Sequence, residues 1–217
     1  MDGYLYFLYT LIYIGILIFS IDRRNIISYS SRRSFIYLVI VGLIVDNAIV
    51  AIGRFIGEGS LLENLSYLRY WSHAFLTPTL VIYCIGILEK SKNINIRKTA
   101  LYGATLITIL LITVEIQSEL LNLTLQPQWE FGVLRYIPTE ISYGPPIMIL
   151  IVTFILLLTG ILLWIFEKWI WMFVGASLMT IGSIVSFPIE SGAITNGFEV
   201  ILIIFLVFTK RHVERDL

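Results

Sequence analysis

Residues 147–166 read IMILIVTFILLLTGILLWIF, a run without a single charge. A helix rises 1.5 Å per residue and the hydrocarbon of a bilayer is about 30 Å thick, so about 20 apolar residues cross it. The run is apolar at every phase, which excludes the period-two alternation of a membrane β-barrel strand. It reads as a transmembrane helix. Six further stretches share this character, and spans are expected near 4–21, 35–53, 67–88, 99–117, 146–166, 169–187 and 196–209. They predict one all-α domain over residues 1–217, a bundle of seven transmembrane helices. Composition agrees: 58% of residues are hydrophobic, against about 45–50% in soluble domains, and mean hydropathy is +0.88.

The basic residues orient this bundle. Arg23, Arg24, Arg32 and Arg33 lie between the first two spans, and Lys90, Lys92, Arg97 and Lys98 between the third and fourth. Lys168 follows the fifth, and Lys210, Arg211 and Arg215 follow the seventh. Only Arg54, Arg69 and Arg135 belong to the opposite side. Basic residues flanking a span resist translocation, so the rich side is expected to be cytoplasmic. The N-terminus is then outside and the C-terminus cytoplasmic. The start, Met1-Asp2-Gly3, lacks the basic region of a cleavable signal peptide, so the first span is expected to persist.

The expected location is a plasma or bacterial inner membrane, crossed many times, with membrane lipid as the surrounding partner. Formal net charge is zero, and basic residues that serve as flanks argue against a nucleic-acid partner. No residue pattern names a protein partner or a cofactor. Cys84 is the only cysteine, which excludes an intrachain disulfide, and it reads as a packing residue.

Among the connections, 22–34 reads as a basic topology anchor and 89–98 as a short link without a special role. Only Glu167 and Lys168 separate spans five and six, with Trp164, Trp169 and Trp171 around that turn as an aromatic belt. The stretch 118–145 is the longest connection. Its alternating apolar residues, with Trp129 and Tyr136, suggest an interfacial segment or lid.

Function is sought among polar residues inside spans, because an Asp or Arg at a helix centre costs on the order of 2.5–3.5 kcal/mol. Asp46 is the deepest, and Asn47 adjoins it. Arg54 lies two helical turns beyond Asn47, on the same expected face, while Gly42 and Gly53 leave that face small enough for a neighbouring helix or ligand. Arg69, His73 and Thr77 recur at i, i+4, i+8 above Pro78, whose ring interrupts helical hydrogen bonding. Glu115, Glu190 and Glu199 stand near the outer ends of spans four, six and seven. These groups are expected to share one level in the outer half of the membrane, with no comparable set in the inner half.

Such a pocket suits an enzyme acting on a lipid or another amphiphile. Asp46, His73 and Glu199 are its candidate acid/base residues, and Arg69, Arg54, Asn47, Glu115 and Glu190 its candidate substrate-binding residues. A structural reading competes: the charges pair only to fasten helices. A non-catalytic lipid or small-ligand sensor is the alternative function, and a proton-coupled transporter a third, disfavoured because polar groups do not continue inward. No metal is expected, since zinc wants several His or Cys ligands and His73 is the one histidine inside a span. Seven spans resemble the microbial rhodopsins in number only. Their retinal lysine has no counterpart within span seven, where Lys210 stands at the end.

Overall fold

The computed structural model describes residues 2–21, 31–91, 93–139, 146–185 and 191–215. The chain is mostly helical: α1 (Asp2–Ser20), α2 (Phe35–Ile56), α3 (Ser60–Leu76), α4 (Thr79–Leu88), α5 (Lys98–Glu115), α6 (Ile147–Glu167), α7 (Trp171–Ile184) and α8 (Gly192–Arg215). A 3₁₀ turn, Arg32–Ser34, leads into α2, and a π-type turn, Ile116–Leu120, ends α5. Six segments are long and apolar enough to cross a membrane, α3 and α4 counting as one broken rod, as befits a multi-pass membrane protein. The apolar α7 has only 14 residues.

The break between α3 and α4 falls at Thr77-Pro78, where proline cannot donate to the ladder. The Thr77 amide still closes on the His73 carbonyl at 3.1 Å. The turn between α6 and α7 is as tight as its sequence implies: Lys168 adopts a left-handed conformation, φ 57°, and the Trp169 amide bonds the Leu163 carbonyl at 3.2 Å.

The helices close into a ring. Each packs on its sequence neighbours, and α8 returns to α1, while α4 also touches α2, α6 and α8. Tyr83 on α4 donates to the Leu206 carbonyl of α8 at 2.7 Å, in a core with Tyr13, Ile40, Leu163 and Met172 fully buried. Because lipid is as apolar as these side chains, close packing and inter-helix hydrogen bonds hold such a bundle rather than water exclusion. Helices α1 and α8 run parallel: Tyr9 bonds the Ala193 carbonyl near their starts, and Arg211 bonds the Phe19 carbonyl near their ends.

Several boundaries differ from expectation. The third span begins at Ser60 rather than 67, so the 54–66 connection is largely helix. The seventh runs from Gly192 to Arg215, and Lys210, Arg211 and His212 belong to that helix rather than to a free tail. The 118–145 stretch continues past the turn that ends α5 into a sheet element. It holds an antiparallel hairpin, β1 (Leu125–Glu130) with β2 (Val133–Pro138). Its two-residue loop, Phe131-Gly132, has both φ values positive, 47° and 80°, which matches the right-handed twist of the paired strands.

Candidate functional site

The site starts on α2, where adjacent residues reach in different directions. Asp46 Oδ1 accepts from Arg69 Nε of α3 at 2.8 Å, with side chains 27% and 13% exposed. Asn47, about 100° further round the helix, is fully buried. Its amide donates to the Leu43 carbonyl at 2.9 Å, and its Oδ1 accepts from Asn196 Nδ2 of α8 at 3.1 Å. One pair of neighbours thus fastens α2 to α3 and to α8.

Three residues beyond Asn196, on the same face of α8, stands Glu199. It is half-buried, has no hydrogen bond or ion pair among the described residues, and lies within electrostatic range of Asp46. Tyr13 of α1 is within range of both Glu199 and Asp46. It is 0% exposed, and its hydroxyl finds no hydrogen-bond partner among the described residues. A buried hydroxyl without a partner carries a desolvation cost of about 1–3 kcal/mol. Two polar groups without partners among the described residues therefore lie within electrostatic range of Asp46, which Arg69 already satisfies.

Tyr6, Tyr9 and Tyr13 share one face of α1 at i, i+3, i+7. Their period was legible in the sequence, and it is the signal that identifies Tyr13 as a site residue.

The remaining candidates divide. His73 is exposed on α3, and its Nδ1 lies 3.3 Å from Thr77 Oγ1 on its own helix. It is within electrostatic range of Asp46 and Arg69 and makes no hydrogen bond or ion pair to either. Arg54 is exposed and stacks 5.1 Å from the ring centroid of its neighbour Phe55. It does not share the surroundings of Asn47, because α8 begins at Gly192, about one turn outward of Asn196, and ends short of Arg54's level. Glu115 closes α5, where its neighbouring charge is Glu119 rather than the α2–α8 cluster. Glu190 lies outside the described residues. The small face of α2 is filled by protein: Gly42 abuts Leu76, and Gly53 abuts the Leu134 carbonyl.

That carbonyl belongs to the hairpin, which caps this end of the ring. A β-carbon on Gly53 would lie 2.1 Å from Leu134 O, so only glycine admits the strand so close. Val133, Leu134 and Tyr136 of β2 are buried against α1, α2 and α3. Tyr136 accepts from the Gly59 amide at 3.0 Å, and Trp129 donates to Glu58 at 3.0 Å. Arg135 pairs with Glu130 at 2.5 Å, and its Nε is buried without a partner among the described residues. The hairpin packs on α2 and α3, and Val133 joins the buried cluster of Tyr6 and Ala193.

The opposite end of the ring corrects the expectation of a polar set on one side only. Glu214 bridges Arg33 at 2.9 Å and the nearly buried Lys210 at 2.8 Å, while Lys210 lies 5.0 Å over the Tyr37 ring. Arg32 pairs with Glu89, and Glu167 accepts from Ser91 and from the Asn93 amide. His212 stacks on Trp169 at 4.0 Å, and Trp169 donates to Thr209 at 2.9 Å. The 89–98 link therefore ties α4 to α6 and to the start of α2. Here Glu214, Glu89 and Glu167 are each matched within the protein and hold helix ends; among the described residues of the hairpin end, the Glu199 carboxylate and the Tyr13 hydroxyl are left over.

Among the described residues no three of His, Cys, Asp or Glu gather as a metal ion would require. No protein-family model, curated protein or solved structure matches this chain.

Proposed function

We propose that this chain is a seven-span membrane protein whose capped polar centre binds and acts on an amphiphilic substrate by acid/base chemistry. In this reading the hairpin end is extracytoplasmic and the basic end cytoplasmic, with α7 completing the count. The parallel course of α1 and α8 supports an odd number of crossings, and the distribution of Lys and Arg supports the orientation. The observation that carries the functional part is Glu199, a half-buried carboxylate without a partner among the described residues, within electrostatic range of the Tyr13 hydroxyl, which also lacks one there. Carboxylates inside a bundle are costly, and one that no described cation neutralises is available to a substrate proton or polar head.

Roles follow from the surroundings. Glu199 takes or gives the proton, and Tyr13 donates a hydrogen bond to the reacting group. Asp46 and Arg69 set the local field as a neutral pair. His73, on the exposed side of α3, meets a head group that arrives laterally from the bilayer. Arg69 is already matched by Asp46 and Arg54 stands apart, so the head group that fits is not one demanding two free guanidinium groups.

Purified protein in nanodiscs, incubated with a polar-lipid extract, tests this reading by mass spectrometry. Consumption of one component by the wild type, lost in Glu199→Gln while that component still co-purifies, supports an enzyme. Co-purification without consumption in the wild type favours the sensor. If wild type, Glu199→Gln and Tyr13→Phe neither consume nor retain any component differently, the centre is structural.

A further inference from the structure

Away from the polar centre, α1 and α8 part to leave an apolar trough of about 330 Å³, lined by Ile12, Gly15, Ile16 and Phe19 with Ile204 and Phe208. Gly15 makes its floor: a β-carbon there meets nothing within 4 Å. The trough ends at two partly exposed rings, Phe19 and Phe208, packed edge to face with centroids 6.5 Å apart. One turn beyond Phe208 comes Arg211. Its guanidinium lies 3.5 Å over the Phe19 ring and donates to the Phe19 carbonyl.

Arg211 differs from the cations near it. Arg33 and Lys210 share Glu214, and Arg32 has Glu89, but Arg211 has no acidic partner among the described residues. A guanidinium carries five N–H donors in a planar fork suited to phosphate oxygens, and the carbonyl of Phe19 occupies only part of that capacity. An unmatched fork at the end of an apolar trough, at the level where a bundle helix leaves the hydrocarbon, has complementary chemistry in one molecule.

We propose that this trough is a binding site for an anionic phospholipid, with one acyl chain along α1 and α8 and the phosphate on Arg211. Among the described residues no acid stands beside Arg211 to hold the ammonium of a zwitterionic head, so net negative charge is favoured. The assignment is independent of the polar centre and of which end faces the cytoplasm. Arg211 meets an interface in either orientation.

Native mass spectrometry of the full chain, released from nanodiscs holding equal phosphatidylglycerol and phosphatidylcholine, tests it. The wild type retains phosphatidylglycerol preferentially. Arg211→Gln lowers that preference about fivefold, as expected for one basic contact at a membrane surface. Gly15→Leu fills the trough and removes retention of both lipids while the thermal midpoint holds, because the added side chain enters open space. Millimolar glycerol phosphate does not displace the lipid, since the acyl chain supplies most of the contact. Unchanged preference in Arg211→Gln, full retention in Gly15→Leu, or displacement by glycerol phosphate would each overturn the proposal. Should Gly15→Leu not fold, the Arg211→Gln ratio decides by itself.

Discussion

Asp46 and Arg69 meet at 2.8 Å between α2 and α3, and this contact decides how the hairpin end of the ring is charged. It converts two costly side chains into one neutral unit and leaves Glu199, within electrostatic range, without a partner among the described residues. Removing one partner of such a pair costs more than removing both, because the survivor stays desolvated and alone. Asp46→Asn is therefore expected to destabilise the protein by about 1–3 kcal/mol, the partial exposure of both groups keeping the loss below that of a fully buried pair. Asp46→Leu with Arg69→Leu should recover most of it. Thermal unfolding in one detergent compares the two. A double variant no more stable than the single would show that the pair contributes through something other than charge.

The hairpin depends on the bare backbone at Gly53. Gly53→Ala forces either Leu134 or α2 to move, and overpacking of this kind costs about 1–3 kcal/mol. Limited trypsin digestion reads the result at Arg135, which is half-buried in the seated cap. Cleavage after Arg135 should accelerate in Gly53→Ala and stay at the wild-type rate in Gly103→Ala, where the added methyl meets nothing. Equal rates in all three proteins would mean that the cap is not held at this point.

How much of this was legible follows from the range of each interaction. The apolar run 147–166 and its companions declare helices because a bilayer crossing is a local property of about 20 residues. Asp46, Arg69 and Glu199 stood out for the same reason: their cost is local, whatever their partners. The hairpin did not stand out. Phe131-Gly132 is a weaker turn signal than Asn-Gly, and β2 gains its burial from α1, α2 and α3, which lie far away in sequence. The network at Glu214 is not legible because the apolar run itself stops near residue 209, which leaves Lys210 and Glu214 reading as solvent-facing while the helix continues through them. Arg54 and Asn47 share a helical phase, but phase does not reveal that α8 stops short of one and faces the other.

Glu214 is the hinge of the opposite end. It holds Arg33 and Lys210, and Lys210 is only 3% exposed, so neutralising the carboxylate strands a buried ammonium. Glu214→Gln should cost about 3 kcal/mol, seen as a lower thermal midpoint. Lys210→Met, which removes the stranded charge but keeps the stem, should cost clearly less. The reverse order would place the stabilising contact at Tyr37 rather than at Glu214.

Orientation has its own test, in a Cys84→Ala background free of other thiols. An impermeant maleimide applied to intact cells should label Glu58→Cys, at the hairpin end, and leave Lys90→Cys unlabelled until the membrane is opened. Labelling of Lys90→Cys alone would invert the topology and place the Glu199 centre toward the cytoplasm.

The ring seam between α1 and α8 carries a consequence for biogenesis. The two helices that seal the ring, α1 and α8, stand far apart in sequence. Until α8 leaves the insertion machinery, α1 shows an open flank to lipid, and Asn47 waits inside the bundle for the amide of Asn196. Assembly therefore cannot finish domain-fashion as the chain emerges. It completes in one late docking step, before which the Asn47 Oδ1 lacks its Asn196 donor while its amide already bonds the Leu43 carbonyl.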